Sequence, residues 1–294
     1  MVTHHNPTLQ FPPRVVVLGA TGFLGKTLLD RVLKPAGVET VSIGSAQINL
    51  LEAVSVEALG NVVRVGDALV FASALTPDKG KDARTAMKNL AMGEYVSAVV
   101  ESSKCSHVIY ISSDAVYADD ANPVRETACA SPSTLYGLMH LMRERMLQVA
   151  VQKPKIPLLL LRLTAMYGVG DTHNSYGPNR FLRTATKDRQ IALFGQGEEQ
   201  RDHLWVQDCT RLIGEGLRHR SAGTLNAATG KSVSFMEAAQ TVAGIVGGDV
   251  QIKGQPRSGP VTHRHFDITE TIKAFPSFHF TSLRDGLAEA ARPV

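Results

Sequence analysis

The stretch VVVLGATGFLG, residues 15–25, is the part of the sequence that most clearly indicates the fold. A short apolar run precedes three glycines in the spacing G-x-x-G-x-x-G, and an amphipathic segment follows them. Gly19 would permit a tight turn, Gly22 would let the backbone approach a pyrophosphate, and Gly25 would let the helix pack closely on the strand. The helix N-terminus would offer free N–H groups to the phosphates. This context predicts a dinucleotide-binding loop, whereas the glycines alone would also fit a merely structural turn.

From this loop onward, apolar runs rich in β-branched residues alternate with helix-length amphipathic segments. Buried parallel strands are expected to be apolar throughout, as these runs are. The pattern predicts an α/β fold with a doubly wound parallel sheet, Rossmann-like, and helices on both of its faces. The predicted strands cover residues 14–20, 38–43, 68–74, 107–113 and 157–163, and the predicted helices cover 23–33, 81–103 and 134–151.

The character of the chain changes after Met166, where loops rich in Gly, Asn and Pro lead into short mixed segments. We therefore expect a dinucleotide-binding domain over residues 11–165, completed by about residues 203–222. Residues 166–294 are expected to form a smaller α/β C-terminal substrate-binding lobe. The first thirteen residues have no apolar core and no cleavage-site pattern, which predicts a loose tail rather than a signal peptide.

The composition narrows the class of protein. The chain of 294 residues has a formal net charge of +4, with its basic residues scattered, which favours an anionic ligand and predicts no nucleic-acid partner. No apolar run is long enough to span a membrane. Three widely separated cysteines suggest neither a metal site nor a disulfide framework, so a cytoplasmic location is expected.

The motif GATGFLG resembles the extended short-chain dehydrogenase/reductase superfamily, in its branch of NAD(P)-dependent nucleotide-sugar epimerases and dehydratases. The resemblance continues in QINLLEAVSVEAL (47–59), DALVFASAL (67–75), RLTAMYG (162–168), EEQRDHLWVQD (198–208) and LNAATG (225–230). It implies that the chain binds NAD or NADP. The implied cofactor contacts are Gly19, Gly22, Phe23, Leu24, Gly25, Asn49, Leu50, Ala72, Ser73, Ala74, Asn89, Tyr136, His140 and Leu163.

The end of the second strand bears on the choice of cofactor. An acidic residue there would accept the ribose hydroxyls of NAD, and a nearby Arg would favour the phosphate of NADP. The chain has Ile43, Gly44 and Ser45, which are neither. The absence of a basic residue at this turn favours NAD slightly.

The same resemblance implies a catalytic set of Ser113, Tyr136 and His140. Tyr136, in TLYGLMH, follows Ser113 by 23 residues (136 − 113), which is close to the family spacing. A phenol can transfer the proton of a reacting oxygen if a nearby cation lowers its pKa from about 10. The family carries that cation as a Lys where this chain has His140, which is largely neutral at pH 7. We expect weaker, more pH-dependent activation of Tyr136, or a slow or inactive enzyme in which His140 is only a spacer.

The expected substrate is a nucleotide-diphosphate sugar, with implied contacts from Ser113, Asp114, Asn179, Arg201 and Arg257. Two arginines suit a diphosphate because a guanidinium matches phosphate oxygens. The family's dehydratases and its epimerase–reductases carry Glu and Cys, respectively, at the position of Ala115, so both of those reactions are disfavoured. Epimerisation through a 4-keto intermediate and simple 4-keto reduction both remain.

Two other classes of protein stay open. One is a cofactor-binding sensor, or a catalytically impaired member of the same fold, which the missing Lys supports. The other is a reductase of non-nucleotide carbonyl compounds, which the phosphate-type Arg201 argues against. A homodimer is an open expectation, and no metal is expected, because His263 and His265 lack acidic or Cys companions.

Overall fold

The computed structural model describes residues 1–257 and 259–292 of the chain. The strands are β1 (Thr3–His4), β2 (Arg14–Leu18), β3 (Glu39–Ile43), β4 (Ala68–Phe71), β5 (His107–Ser113), β6 (Leu158–Leu163), β7 (Ala165–Tyr167), β8 (Gln190–Phe194), β9 (Gln200–Trp205), β10 (Ser221–Ala227), β11 (Ser232–Ser234) and β12 (Gln251–Gln255). The helices are α1 (Phe23–Leu28), α2 (Ser55–Val62), α3 (Ala83–Ser102), α4 (Leu135–Ala150), α5 (Pro178–Asp188), α6 (Val206–His219), α7 (Phe235–Val246), α8 (Thr269–Ala274) and α9 (Leu283–Ala290). A π-helical turn, Leu29–Leu33, continues α1.

The central sheet has the strand order β1-β10-β6-β5-β4-β2-β3. Every neighbouring pair is parallel except β1 with β10. The chain leaves β2 for β3 on one side and then crosses to β4 on the other, so the winding direction reverses between β2 and β4. The prediction of a doubly wound parallel sheet is confirmed, and ligands of such sheets bind at the carboxyl ends of the strands where the winding reverses.

Helices cover both faces of this sheet because its strands are apolar on both faces. On one face α1 and α6 pack through residues such as Ile213, and on the other α2, α3 and α4 pack through residues such as Leu147. The alternation along β5 shows the division, since Ile109 belongs to the first core and Tyr110 to the second.

A second group of elements follows β6. Strand β9 pairs with β7 and β11, and β8 pairs with β12. Helices α5, α7 and α9 pack on these strands around a core that includes Phe181, Trp205 and Phe235. Helix α6 and strand β10 return from this region to the central sheet.

The expectation of a loose N-terminal tail is wrong. Thr3 and His4 pair with Ala222 and Ser221 at the edge of the central sheet. Nδ1 of His4 lies 2.9 Å from Oγ of Ser221, and Nε2 lies 2.9 Å from the carbonyl oxygen of Ala274. The outer edge of β10 offers unpaired backbone groups, and the first residues satisfy part of them.

Candidate active site

The glycine-rich turn lies at the carboxyl end of β2. Gly19 has φ +88°, and a Cβ there would lie 3.0 Å from the carbonyl carbon of Ala72, at the end of β4. A Cβ on Gly25 would overlap the carbonyl oxygen of Gly19. Both positions therefore need glycine, one for its backbone angle and the other for the approach of α1 to the turn.

Gly22 is the N-cap of α1 and has an ordinary backbone conformation, with φ −77°. Within the described chain, a Cβ on Gly22 would meet only the carbonyl oxygen of Gly19 inside 4 Å, at 3.3 Å. The first hydrogen bond of the helix runs from Lys26 N–H to the carbonyl of Gly22, at 2.9 Å. The amides of Phe23, Leu24 and Gly25 precede it and have no intrahelical acceptor. The turn thus presents open space and several donors, which fit a pyrophosphate.

The loop after β4 carries the predicted cofactor residues Ala72, Ser73 and Ala74. Asn89, buried on α3, holds this loop, because it accepts from Leu75 N–H at 2.8 Å and donates to the carbonyl of Leu75 at 3.0 Å. The structure thus places Asn89 in support of the loop.

The turn after β3 has a feature that the sequence analysis missed. The side-chain oxygen of Gln47 accepts from Gly44 N–H at 3.0 Å, and Gly44 packs against Thr21 in the glycine-rich turn. Nearby, Asn49 donates to Glu52 at 2.6 Å, and Leu50 is buried in the core. The side chain that binds the backbone at the end of β3 is therefore an amide.

Ser113 and Tyr136 lie on elements that meet. Ser113 ends β5, and its hydroxyl accepts from Ala115 N–H at 3.1 Å. Helix α4 begins where Thr134 accepts from Gly137 N–H at 3.1 Å. A Cβ on Gly137 would overlap the carbonyl oxygen of Ala115, so the first turn of α4, with Tyr136, lies directly against the end of β5. Leu163, the last of the predicted cofactor residues, pairs with Ser113 across β5 and β6.

His140 lies one helical turn after Tyr136 and is 2% exposed. Its ring stands edge-on to that of Tyr136, with 4.6 Å between the centroids. Nδ1 and the hydroxyl of Tyr110 share a hydrogen bond of 2.7 Å, whereas Nε2 has no partner among the described residues. Burial, helped by the nearby Arg143, holds the pKa of His140 well below its usual value, so the imidazole is neutral at pH 7.

Burial raises the pKa of Tyr136 to about 12, the charges of Asp114 and Asp78 add to the effect, and Arg143 opposes it. The phenol is therefore protonated at neutral pH in the chain alone. A cavity of about 540 Å³ opens beside it, lined by residues of the loop after β4, α3 and the start of α4, including Leu75, Thr85 and Met139. Tyr136 is itself one of the residues that line this cavity.

The two predicted phosphate ligands, Arg201 and Arg257, meet at Glu199. Arg257 lies 3.2 Å from one carboxylate oxygen of Glu199, and Arg201 lies 3.7 Å from the other. Arg201 also donates to the carbonyl and the hydroxyl of Thr262, at 2.6 and 2.8 Å, and Arg257 pairs with Glu198 at 3.0 Å. The structure brings the two arginines together and gives each of them protein acceptors.

Arg264 is a member of this region that the sequence analysis did not select. Its Nε lies 3.1 Å from a carboxylate oxygen of Asp114, and its Nη2 donates to the carbonyl oxygen of Asp114 at 2.6 Å. Burial raises the pKa of Asp114, and Arg264 and Arg201 oppose that rise. A single Arg in THRHFD carries no signal in the sequence, because only the fold brings residue 264 to the end of β5.

Asn179 and Asp202 form hydrogen bonds with the backbone of the loops that follow β7 and β10. Asn179 accepts from Gly168 N–H at 3.0 Å and donates to Asp171 at 2.8 Å. Asp202 accepts from the backbone and hydroxyl of Thr229 at 3.0 Å and from Gly230 N–H at 2.7 Å. Burial raises the pKa of Asp202 to about 6, against these hydrogen bonds. Asp202 thus ties β9 to the loop that follows β10.

The described residues hold neither a candidate metal centre nor a candidate membrane helix. Within residues 1–257 and 259–292, no His, Cys, Asp and Glu side chains gather in a group of three or more that could ligate a metal ion. The helices of the same ranges include none that is both long and apolar enough to cross a bilayer.

The fold and the glycine-rich turn define a Rossmann-like protein with its candidate site at the carboxyl ends of β2, β4 and β5. Residues 15–228 match the model of the NAD dependent epimerase/dehydratase family, and the chain belongs to that family. The resemblance inferred from the sequence motifs is therefore confirmed.

Known proteins include relatives of similar sequence and solved structures of similar fold. An uncharacterized UDP-glucose epimerase of Bacillus subtilis (strain 168) is 24% identical over 182 residues, which are 61% of this chain and 57% of that protein. The chain therefore spans little more than half the length of this relative. The crystal structure of the Thermus thermophilus UDP-glucose 4-epimerase complex with NAD has a TM-score of 0.82 at 16% identity, over 95% of this chain and 97% of that one. RMD from Pseudomonas aeruginosa complexed with NADPH has a TM-score of 0.83 at 21% identity, over 95% and 97%. These two likenesses show a shared fold.

Proposed function

We propose that the protein is an NAD(P)-dependent epimerase or 4-ketoreductase of a nucleotide-diphosphate sugar. The observation that carries the proposal is the close packing of the first turn of α4, which bears Tyr136, on the residues that directly follow Ser113 at the end of β5, beside a cavity of about 540 Å³. Membership of the epimerase/dehydratase family supports the same reaction class.

The residues of the glycine-rich turn fit a nicotinamide dinucleotide. The amides of Phe23 and Leu24 would hold the pyrophosphate, and the unpartnered Nε2 of His140 would bond a ribose hydroxyl. When bound, the nicotinamide supplies an acceptor and donor of hydride. The amide of Gln47, rather than a basic group, lies at the turn after β3, which favours NAD over NADP.

The chain's own residues would move the proton. Tyr136 would take the proton of the reacting sugar hydroxyl as the carbonyl forms, and would return it as the carbonyl is reduced. Ser113 would donate a hydrogen bond to the same oxygen and keep it aligned with the phenol. Because Tyr136 is protonated in the free chain, it would be able to donate the proton that reduction of the keto group requires.

Arg201 and Arg257 would bind the diphosphate, with Asp114 and Asn179 nearer the sugar. Their present acceptors support this role, since Glu199 contacts both arginines and Glu198 contacts Arg257, and a guanidinium that binds carboxylate oxygens also suits phosphate oxygens. Substrate would then exchange carboxylate for phosphate at an arginine pair that the fold has already assembled.

A cofactor-binding protein without turnover is the second candidate. The observation that favours it is the neutral, buried His140 beside a phenol whose pKa is raised to about 12. Such a protein would bind the dinucleotide as the enzyme does and would release no product.

A second copy of the chain is the proposed partner in solution. Leu135, Leu138, Met142 and Val149 form an exposed apolar face along α4. Apolar side chains aligned in this way favour association of two helical faces. Sedimentation of the wild type against Met142→Arg tests the proposal, which a monomeric wild type would overturn.

The test of function is a thermal-shift panel followed by turnover assays. NAD or NADP should raise the melting temperature, and one of the UDP-, GDP-, dTDP- and CDP-sugars should raise it further, because ligands stabilise the state that binds them. Tyr136→Phe should keep both shifts and lose turnover by at least about a hundredfold. Arg201→Ala should keep the cofactor shift and lose the sugar shift.

The exposed Arg31 supplies the matched control, since Arg31→Ala removes the same charge outside the site. Melting temperatures unaffected by both dinucleotides would reject the proposal. Full activity in Tyr136→Phe would move the proton chemistry to another residue, and wild-type binding without turnover would favour the second candidate.

A further inference from the structure

Arg143 is a fully buried cation on the same face of α4 as Tyr136 and His140. It lies two turns after Tyr136, and helical side chains point back toward the N-terminus of their helix, in this case toward the phenol. Its aliphatic stem fits because residue 93 of α3 is glycine. A Cβ on Gly93 would lie 2.6 Å from Cγ of Arg143.

The guanidinium group is held mainly by neutral groups. Its carbon lies 4.3 Å from the ring centroid of Phe71 and 5.5 Å from that of Tyr110. Nη2 donates to the carbonyl oxygen of Ser73 at 3.0 Å. Nε and Nη1 are buried and have no acceptor in the described chain, whose ion pairs include none with Arg143. A buried charge without a carboxylate is unfavourable for stability, which points to a role outside packing.

The charged groups that act on the pKa of Tyr136 come from three parts of the fold. Asp114, from the end of β5, and Asp78, from the loop after β4, disfavour the phenolate, and each of them has its own basic partner, Arg264 and His173. His140 is neutral. Among the described groups that act on the phenol, Arg143 is the one that favours its ionised form.

We propose that Arg143 supplies the fixed positive charge of this site and acts on Tyr136 as a positioning residue, in place of an ammonium at position 140. This inference rests on the proposed function, because it concerns the same phenol. The two roles that a lysine at position 140 would combine are then divided between two side chains, with charge from Arg143 and a ribose hydrogen bond from His140.

The test is a titration of Tyr136 in the full chain, with saturating NAD⁺ or NADP⁺, whichever raises the melting temperature. NMR of protein carrying tyrosine labelled with ¹³C at Cζ reads each phenol, and Tyr136→Phe assigns the signal. In Arg143→Met the titration of Tyr136 should move up by about one pH unit or more, a tenfold loss of phenolate at a given pH. Arg143→Lys should move it less, and His140→Lys combined with Arg143→Met should bring it back.

Arg145 provides the control, because it lies two residues away on α4 and is exposed. Arg145→Met should titrate as the wild type. If Arg143→Met does not fold, Arg143→Gln, which keeps donors without the charge, serves in the same comparison. Equal Tyr136 titrations in the Arg143 and Arg145 variants would overturn the proposal, as would an Arg143 variant that only weakens cofactor binding. The titration needs no turnover, so a displaced signal in an inactive protein would refute the proposed function and leave the role of Arg143 intact.

Discussion

His140 is uncharged in this fold for two reasons that act in the same direction. Burial disfavours the imidazolium, and Arg143 repels it. The ring keeps one hydrogen bond, to Tyr110, and stands nearly perpendicular to the ring of Tyr136. His140 therefore packs against Tyr136 and makes a hydrogen bond in the candidate site, but as a neutral group it adds little to the electrostatic field there.

Replacing His140 by Lys tests whether the neutral imidazole at this position limits the ionisation of Tyr136. A cation one turn from Tyr136 should lower the pKa of the phenol, so the rise of the oxidative rate with pH should move to lower pH by about one unit. The shift is limited because Arg143 also opposes a charged Lys at that position. The measurement is the pH–rate profile with cofactor saturating. His140→Gln, neutral and able to hydrogen-bond, is the control, and coincident profiles of Lys variant and wild type would contradict the assignment.

The elements of the site obtain their positions from close backbone contacts. Gly25 brings α1 against the turn after β2, and Gly137 brings α4 against the end of β5, each at a distance that excludes a Cβ. Asn89 fixes the position of the loop after β4 through its two hydrogen bonds with the backbone of Leu75. The ends of three strands are thus presented together at the point where the sheet reverses its winding.

Gly22→Val should separate ligand binding from folding in the glycine-rich turn. The backbone of Gly22 is ordinary, but a Cβ there would lie 3.3 Å from the carbonyl oxygen of Gly19, so the variant should fold with a melting temperature slightly below that of the wild type. Its side chain should block the approach of a pyrophosphate and weaken dinucleotide binding by at least about tenfold. Calorimetry measures the affinity. Gly25→Ala is the contrasting variant and should lower the melting temperature itself; unchanged affinity in Gly22→Val would show that phosphate does not bind there.

The whole molecule buries several titratable groups that the site does not use directly. Burial lowers the pKa of His107 and of His203 to about 4, from 6.5, and both rings are neutral in the folded state. Asp202 has the opposite behaviour, because its pKa is raised to about 6 from 3.8. The stability that Asp202 contributes is present at low pH and is lost as the pH rises toward 6.

His203→Phe should make the fold less sensitive to acid. The folded pKa of His203 is below the unfolded one, so its contribution to stability is present above pH 6.5 and is lost as the pH falls toward 4. Removing it should reduce the slope of unfolding free energy against pH by about 1.4 kcal/mol per unit in that window. Urea titrations across the window measure the slope. His279→Phe, at an exposed position, is the control, and equal slopes in wild type and His203→Phe would contradict the expectation.

Local patterns in the chain were enough to establish the fold class and the family. The run of apolar strands, the spacing of Gly19, Gly22 and Gly25, and the register of Ser113 with Tyr136 each depend on neighbours along the chain. Local backbone geometry follows from such patterns, which is why the strands β2 to β6 were predicted close to where they occur. The same local reasoning was wrong at residues 3–4, because their strand depends on the edge of β10, more than two hundred residues away.

Contacts between elements that are distant in sequence determine which charged side chains lie close to one another. Arg264 reaches Asp114, Glu199 joins Arg201 to Arg257, and Gly93 of α3 leaves room for the side chain of Arg143 on α4, all through the tertiary fold. The protonation states of Tyr136 and His140 are also determined by the tertiary structure, since both depend on burial. Solvent exclusion and long-range charge arise from packing in three dimensions, and no spacing along the chain records them.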